Sequence, residues 1–177
     1  MGVEEKEMRR KEKIIVILVA VLVLVLSLGA FAFQNEPEGF RGLVWGDPPG
    51  EDMEFFMDFS DRTNSYELPD DKMFLGNVSL WVVAYNFYEG RFVGASMFFK
   101  GEDNYDLLET ICKQRYGEEE ADIGFYEINW LGQKSFITLS YDYIEEEGTL
   151  SLNSTLISIE RMQAKQKEEA EKAEGDW

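Results

Sequence analysis

The chain contains no histidine and one cysteine among its 177 residues. Histidine is the side chain most used for general acid and base work near neutral pH and is the commonest metal ligand. Its absence excludes triads and zinc sites that depend on histidine. The lone Cys112 cannot form a disulfide within the chain, so a folded domain has to be stabilised by its apolar core.

Basic residues are also few, with 17 Lys and Arg against 35 Asp and Glu, which gives a net charge of −18. The first 33 residues hold five basic and four acidic side chains, so the remainder holds 12 and 31 and has a net charge of −19. A field of this sign repels nucleic acid phosphates. We therefore predict no nucleic acid partner, and expect cationic partners to be favoured.

One long apolar run is present, from Ile14 to Phe33, and it carries no charge over 20 residues. At about 1.5 Å per helical residue the run reaches about 30 Å, the thickness of the hydrocarbon core of a bilayer. Five cations precede it, Lys6, Arg9, Arg10, Lys11 and Lys13. Positive charge stays on the cytoplasmic side, so residues 1–13 are predicted inside and the rest outside.

A secretory signal peptide is the competing interpretation of this run. Ala30 and Ala32 have the alternate small residues that a signal peptidase requires, so cleavage near Ala32 would release the protein into the periplasm or medium. Signal peptides usually have a shorter apolar core, of about 7 to 15 residues. The length of the run favours an uncleaved transmembrane helix over 14–33, followed by a linker over 34–38.

Residues 39–157 are predicted to form one extracytoplasmic α+β domain, because the remaining 144 residues suffice for one ordinary core. Alternating apolar residues predict its strands, and a hairpin is expected where Glu89-Gly90 supplies a turn. The predicted strands are Gly39–Gly46, Met53–Phe59, Leu80–Tyr85, Phe92–Phe99, Phe125–Trp130, Ser135–Tyr143 and Thr149–Ile157. Asp61–Asp71 is expected to be mostly loop.

One packed helix is predicted, capped by Asp103 or Asn104 and ended by Gly117. Its buried stripe has helical spacing and comprises Leu108, Ile111, Cys112 and Tyr116. Residues 158–177 are rich in Glu, Lys, Ala and Gln, and form either a solvated helical tail or a frayed extension. The predicted class is thus α+β: an antiparallel sheet, one packed helix and a charged tail, preceded by the membrane or signal helix.

Several strings in this domain resemble a group of short, uncharacterised exported or membrane-anchored bacterial proteins. These strings are GFRGLVWG (Gly39–Gly46), YNFYEGRFVGASMFFKG (Tyr85–Gly101), NYDLLETICKQRYG (Asn104–Gly117) and NWLGQKSFITLSYDYIEEEGTLSL (Asn129–Leu152). The group opens with Phe-Arg-Gly, an aliphatic residue, any residue and Trp-Gly, matched here by Phe40 to Gly46. The chain departs from the group at Pro48-Pro49. The resemblance implies a bacterial envelope protein and brings no activity with it.

No catalytic, cofactor or metal residue is assigned from the sequence. The acidic clusters, such as Glu118-Glu119-Glu120 and Glu145-Glu146-Glu147, lack calcium-loop spacing and are interpreted as solvated surface. Trp45, Trp81 and Trp130 offer rings for a ligand groove, but their aliphatic neighbours favour the core.

The functional expectation is a membrane-anchored or exported binding protein, held in the cytoplasmic membrane through Ile14 to Phe33, with a protein of the bacterial envelope as its partner. The alternative is an envelope enzyme that uses carboxylates alone, such as a glycan hydrolase. An uncovered aromatic patch would favour the first, and a cleft with two close carboxylates, one of raised pKa, would favour the second. Enzymatic activity is the less favoured of the two. The sequence leaves ligand, partner and oligomeric state open.

Overall fold

Antiparallel strands pair into one sheet of eight strands. The computed structural model describes residues 33–59, 61–119, 121–122 and 127–175. The sheet strands are β3 (Glu54–Phe59), β4 (Thr63–Glu67), β7 (Val82–Tyr88), β8 (Arg91–Lys100), β9 (Ala121–Asp122), β10 (Glu127–Leu131), β11 (Ser135–Asp142) and β12 (Glu147–Ser154). Their order across the sheet is β3-β4-β7-β8-β12-β11-β10-β9. The α+β class predicted from the sequence is confirmed.

Two small hairpins and two helices complete the described residues. The hairpins are β1 (Gly39–Phe40) with β2 (Leu43–Val44), and β5 (Phe74–Leu75) with β6 (Val78–Ser79). The helices are α1 (Glu102–Tyr116) and α2 (Thr155–Gly175). The sheet therefore consists of two meanders, β3-β4-β7-β8 and β9-β10-β11-β12. Their last strands, β8 and β12, pair antiparallel at the centre, and α1 connects the meanders.

One face of the sheet, the covered face, carries the apolar core. Cross-strand neighbours Val83, Met97, Leu150, Leu139 and Ile128 lie in one row on this face and are all buried. Helix α1 packs over them with Leu108 and Cys112, and Gly117 ends the helix as predicted. The predicted side-chain cap is wrong, because α1 begins at Glu102 after Gly101 and has no side-chain cap hydrogen bond.

The Phe-Arg-Gly segment forms a tight hairpin over the covered face, where the sequence predicted one continuous strand. Arg41 and Gly42 both have positive φ, 47° and 93°, and this backbone reverses the chain between β1 and β2. The hairpin brings Trp45 onto Phe92, with ring centroids 5.2 Å apart. The motif is therefore a structural element of this fold.

Asp61–Asp71 is not mostly loop, since Thr63–Glu67 forms β4 between β3 and β7. The tail is a helix that begins at Thr155, three residues before the predicted boundary. Residues 34–38 contact the domain: the Asn35 side chain donates to the Arg115 carbonyl at 2.7 Å, and Glu36 accepts from the Ser135 N–H at 2.8 Å.

Residues 14–32 of the predicted membrane segment lie outside the described residues, as do residues 1–13. Phe33, its last residue, packs against Tyr116 with ring centroids 5.4 Å apart. No helix among the described residues has the length and apolar character needed to cross a bilayer.

Candidate binding surface

The other face of the sheet, which we call the open face, has a polar row at its centre. Ser96, Ser151, Thr138 and Asn129 stand opposite one another on four neighbouring strands. This row follows from the alternation in β11 and β12, where Ile137, Leu139, Leu150 and Leu152 take the buried positions. The small polar residues between them must then face outward.

Hydrogen bonds continue the polar row towards β4. The Ser65 hydroxyl donates to Asn86 Oδ1 at 2.6 Å, and Asn86 Nδ2 donates to the Ser96 hydroxyl at 3.2 Å. On the far side, the Thr138 hydroxyl donates to Asn129 Oδ1 at 2.6 Å. Because each of these groups already has a protein partner, the row forms an ordered floor.

Apolar side chains of β3 rise beside this floor. Phe56 and Phe59 are 44% and 41% exposed, and Met57 stands opposite Ser65 on the open face. Together with Ala84, Asn86, Ser96 and Phe98 they line a cavity of about 170 Å³, which we call the aromatic groove. Large apolar side chains exposed around a polar floor are typical of a binding surface.

Helix α2 borders one end of the aromatic groove. Ile157 anchors the start of the helix against Tyr88 and Val93, and Arg161 both lines the groove and pairs with Asp61 at 2.5 Å. Glu160 accepts from Arg91 at 2.7 Å. The charged tail is thus fixed to the first meander, and it supplies the one cationic group that lines the groove within the described residues.

At the other end of the groove, Phe98 also lines a wider depression of about 580 Å³ at the turn between β11 and β12. Tyr143 and Ile144 project from this turn. Trp81 packs against Phe98 with ring centroids 5.6 Å apart, yet remains 47% exposed. The apolar character of the open face therefore extends from β3 to this turn.

The three tryptophans singled out in the sequence have different environments. Trp130 is buried and donates from Nε1 to the Gly117 carbonyl at 2.8 Å, so its prediction as core is confirmed. Trp45 is partly buried against Phe92. For Trp81 the prediction of a core position is wrong, because it lies just before β7, where the chain enters the sheet from the β5–β6 hairpin.

Carboxyl groups with displaced pKa values are shifted downward. The hydrogen bond from Lys134 lowers the pKa of Glu38, and backbone hydrogen bonding lowers that of Glu119. At Asp61, burial raises the pKa, but hydrogen bonds outweigh it and leave the pKa lowered, one of them from Arg161. These groups are stabilised as carboxylates, which is the opposite of what a general acid requires.

Other polar clusters have structural roles. Asp71 accepts from Arg41 at 2.6 Å and from the Tyr85 hydroxyl at 2.7 Å beneath the β1–β2 hairpin. No three Cys, Asp or Glu side chains come together as a metal site in the described part of the chain. Neither the family models, the curated proteins nor the solved structures that were compared with the chain give a match.

Proposed function

We propose that this chain is a binding protein of the bacterial envelope that recognises a partner protein through the open face of its sheet. The aromatic groove is the observation that carries the proposal. At about 170 Å³ it has the size of one large apolar side chain and is smaller than the roughly 300 to 1,000 Å³ typical of small-molecule sites. Protein interfaces commonly centre on one such anchor set in a pocket.

The tether and the location are part of the same proposal. Residues Ile14 to Phe33 would hold the protein in the cytoplasmic membrane with residues 1–13 inside and the acidic domain outside, and cleavage near Ala32 would instead release it. The likeness of Phe40 to Gly46 to the opening motif of the exported group supports an envelope location. The carboxylate enzyme is the less favoured alternative, because every carboxyl group with a displaced pKa in the described part of the chain is shifted downward.

Photo-crosslinking in intact cells of the native source tests the proposal. A photoreactive phenylalanine replaces Phe56 in the groove of the full-length chain, and a matched probe replaces Gln114 on the exposed side of α1. We expect a reproducible envelope protein to be crosslinked from position 56 and not from position 114. Crosslinking that is equal at both positions, or absent from position 56, would contradict recognition through the open face.

A second substitution links the crosslink to the groove. Phe59→Asp places a charge in the groove, whereas Leu156→Asp makes the same kind of change at an exposed position of α2. The crosslink should be lost with Phe59→Asp and retained with Leu156→Asp. Mass spectrometry of the same sample shows whether the apolar segment is cleaved. Peptides from residues 14–33 would support an uncleaved membrane anchor. An N-terminus at Phe33 would overturn the anchor and leave the binding proposal in place.

A further inference from the structure

Strand β3 forms one edge of the eight-stranded sheet. Within the described residues it pairs with β4 on one side only, and all six of its residues are exposed. Phe55 is 60% exposed even though its ring meets that of Tyr66 edge-on at 5.9 Å. The outward main-chain groups of such a strand are free to pair with another extended chain.

Proteins usually protect an exposed edge by keeping it short, by placing charged residues, above all lysine, or proline on it, or by a bulge that bends it. The opposite edge of this sheet follows that rule, since β9 has only two residues. Strand β3 has six residues, three of them Phe, and contains neither lysine nor proline. Its own protection consists of Glu54, Asp58 and a bulge between Phe55 and Met57. The bulge places Phe56 toward the groove, while Phe55, Met57 and Phe59 remain exposed apolar side chains of the edge.

The charges on this edge indicate what would pair with it. Glu51, Asp52, Glu54 and Asp58 supply four carboxylates over residues 51–58, with no basic residue among them. Glu54 stands directly opposite Glu67 of β4, and no basic side chain of the described residues forms an ion pair with either. Two like charges opposite one another on a sheet are destabilising. A second copy would bring another four carboxylates against the first, so self-pairing is disfavoured.

We propose that β3 is an acceptor edge for an extended basic segment of the partner protein, which adds to the sheet as a further strand. The segment would place a lysine or arginine beside Glu54, from where its long side chain extends toward Glu67 on the next strand, and apolar side chains at alternate positions beside Met57 and Phe59. Main-chain hydrogen bonds would hold the strand, while the cation relieves the repulsion between the two carboxylates. This inference rests on the proposed function, because it names the chemistry of the bound partner.

The probe is a library of random decapeptides, selected on the purified full-length chain in mild detergent. Selected peptides are then synthesised, and their binding sites are mapped by hydrogen exchange. We expect peptides in which a lysine or arginine and two apolar residues occupy successive alternate positions, on one face of the added strand, and which protect the amides of Glu54–Phe59. N-methylation at alternate peptide positions should abolish binding, because it removes the main-chain donors that pair with the edge.

One charge reversal separates the edge from general electrostatics. Glu54→Lys removes the repulsion with Glu67 and supplies a protective lysine, so the variant should fold at least as stably and yet bind the peptides about tenfold more weakly or worse. Glu145→Lys makes the same charge change at the β11–β12 turn and should leave binding nearly unchanged.

The other outcomes overturn the inference in ways that can be told apart from failure of the proposed function. Peptides that protect the amides of Ala84 and Ser96 but not those of β3 would refute strand addition at β3, and they would still support recognition through the open face. Concentration-dependent self-association that protects β3 would make a second copy the occupant and refute the basic partner. No enrichment of peptides over empty detergent micelles would also refute strand addition at β3. The proposed function is tested separately, by the crosslink from position 56.

Discussion

Arg41 and Asp71 form an ion pair at 2.6 Å, with side chains that are only 18% and 7% exposed. The same carboxylate accepts the hydroxyl hydrogen of Tyr85, which lies in the centre of the covered face. Arg41 also donates to the Phe74 carbonyl at 3.0 Å, so one guanidinium connects the β1–β2 hairpin to the β5–β6 hairpin. The arginine of the Phe-Arg-Gly segment therefore fixes two pieces of chain over the core.

Replacing Arg41 with methionine should strongly destabilise the domain. The substitution leaves Asp71 charged, nearly buried and without its cation, and breaking a buried pair in this way typically costs about 3 kcal/mol. Chemical denaturation of the full-length chain, followed by tryptophan fluorescence, measures the loss in the free energy of unfolding.

Lys100→Met is the matched control for that prediction. Its ion pair with Glu147 at 2.8 Å is exposed, and exposed pairs contribute only about 0.2 to 1 kcal/mol. Equal losses of unfolding free energy in the two variants would show that burial does not increase the contribution of the Arg41–Asp71 pair to stability.

The sequence predicts the apolar strands of this sheet better than its most polar strand, β4. From Ile137 to Asp142 in β11 and from Thr149 to Asn153 in β12, apolar and polar residues alternate, because one face packs on α1 and the other is open. The sequence predicts mostly loop over Asp61–Asp71, and within it Thr-Asn-Ser-Tyr-Glu contains a single large apolar side chain. Its strand is defined by pairing with β3 and β7, which is a non-local interaction that the local sequence does not encode.

The aromatic groove could not be predicted for a related reason. The string Phe55-Phe56-Met57 is apolar enough for a core, and only the order of the strands places it at an edge. Likewise, arginine rarely adopts a positive φ, so the turn at Arg41-Gly42 was signalled by the glycine alone. What decides exposure here is the topology, and the topology is set by pairings between distant segments.

Cys112 should be unreactive in the folded domain. It is buried on α1 against the covered face, and burial raises the pKa of its thiol to about 12, which the nearby Arg115 opposes only in part. Reaction with iodoacetamide at neutral pH should therefore occur only through unfolding and should accelerate when denaturant is added.

The same displaced pKa predicts a dependence of stability on pH. The folded pKa lies above the unfolded value of 9.0, so the unfolded chain releases the thiol proton at a lower pH than the folded domain does. The free energy of unfolding is therefore undiminished by Cys112 below about pH 9, and it falls as the pH rises from there toward about 12. Cys112→Ala should therefore lose less stability than the native chain between pH 9 and pH 11. An identical decline in both proteins would assign the alkaline loss to other groups, such as Tyr116, whose pKa burial also raises.

The ion pair of Arg161 with Asp61 should hold α2 against the first meander. Arg161→Gln removes the pair, so amide hydrogens of α2 should exchange faster, by about tenfold, while those of β8 stay unchanged. Because the folded pKa of Asp61 is lowered, the contribution is present above about pH 4 and is lost as the pH falls further.

Lys167→Gln is the matched control on the same helix. It removes only the exposed pair with Glu171 at 3.8 Å, which joins two residues of α2 itself. Its exchange should resemble that of the native chain, because exposed pairs of this kind contribute only about 0.3 to 0.5 kcal/mol. If both variants exchange alike, contact with Asp61 is not what fixes the helix.

Asn86 should be the residue on which the floor of the groove depends. Its amide accepts from Ser65 at 2.6 Å and donates to Ser96 at 3.2 Å, and Ser65 is only 2% exposed. Asn86→Ala leaves the buried Ser65 hydroxyl without its acceptor, which should cost about 1 to 2 kcal/mol of the free energy of unfolding.

A double-mutant cycle with Ser65→Ala should give less than the sum of the two single losses, because both remove the same hydrogen bond. Asn64→Ala, one residue away from Ser65 on β4, serves as the control and should cost less than Asn86→Ala. Strict additivity in the cycle would show that the two side chains are not coupled, and the groove would then lack the ordered floor that its proposed role in recognition requires.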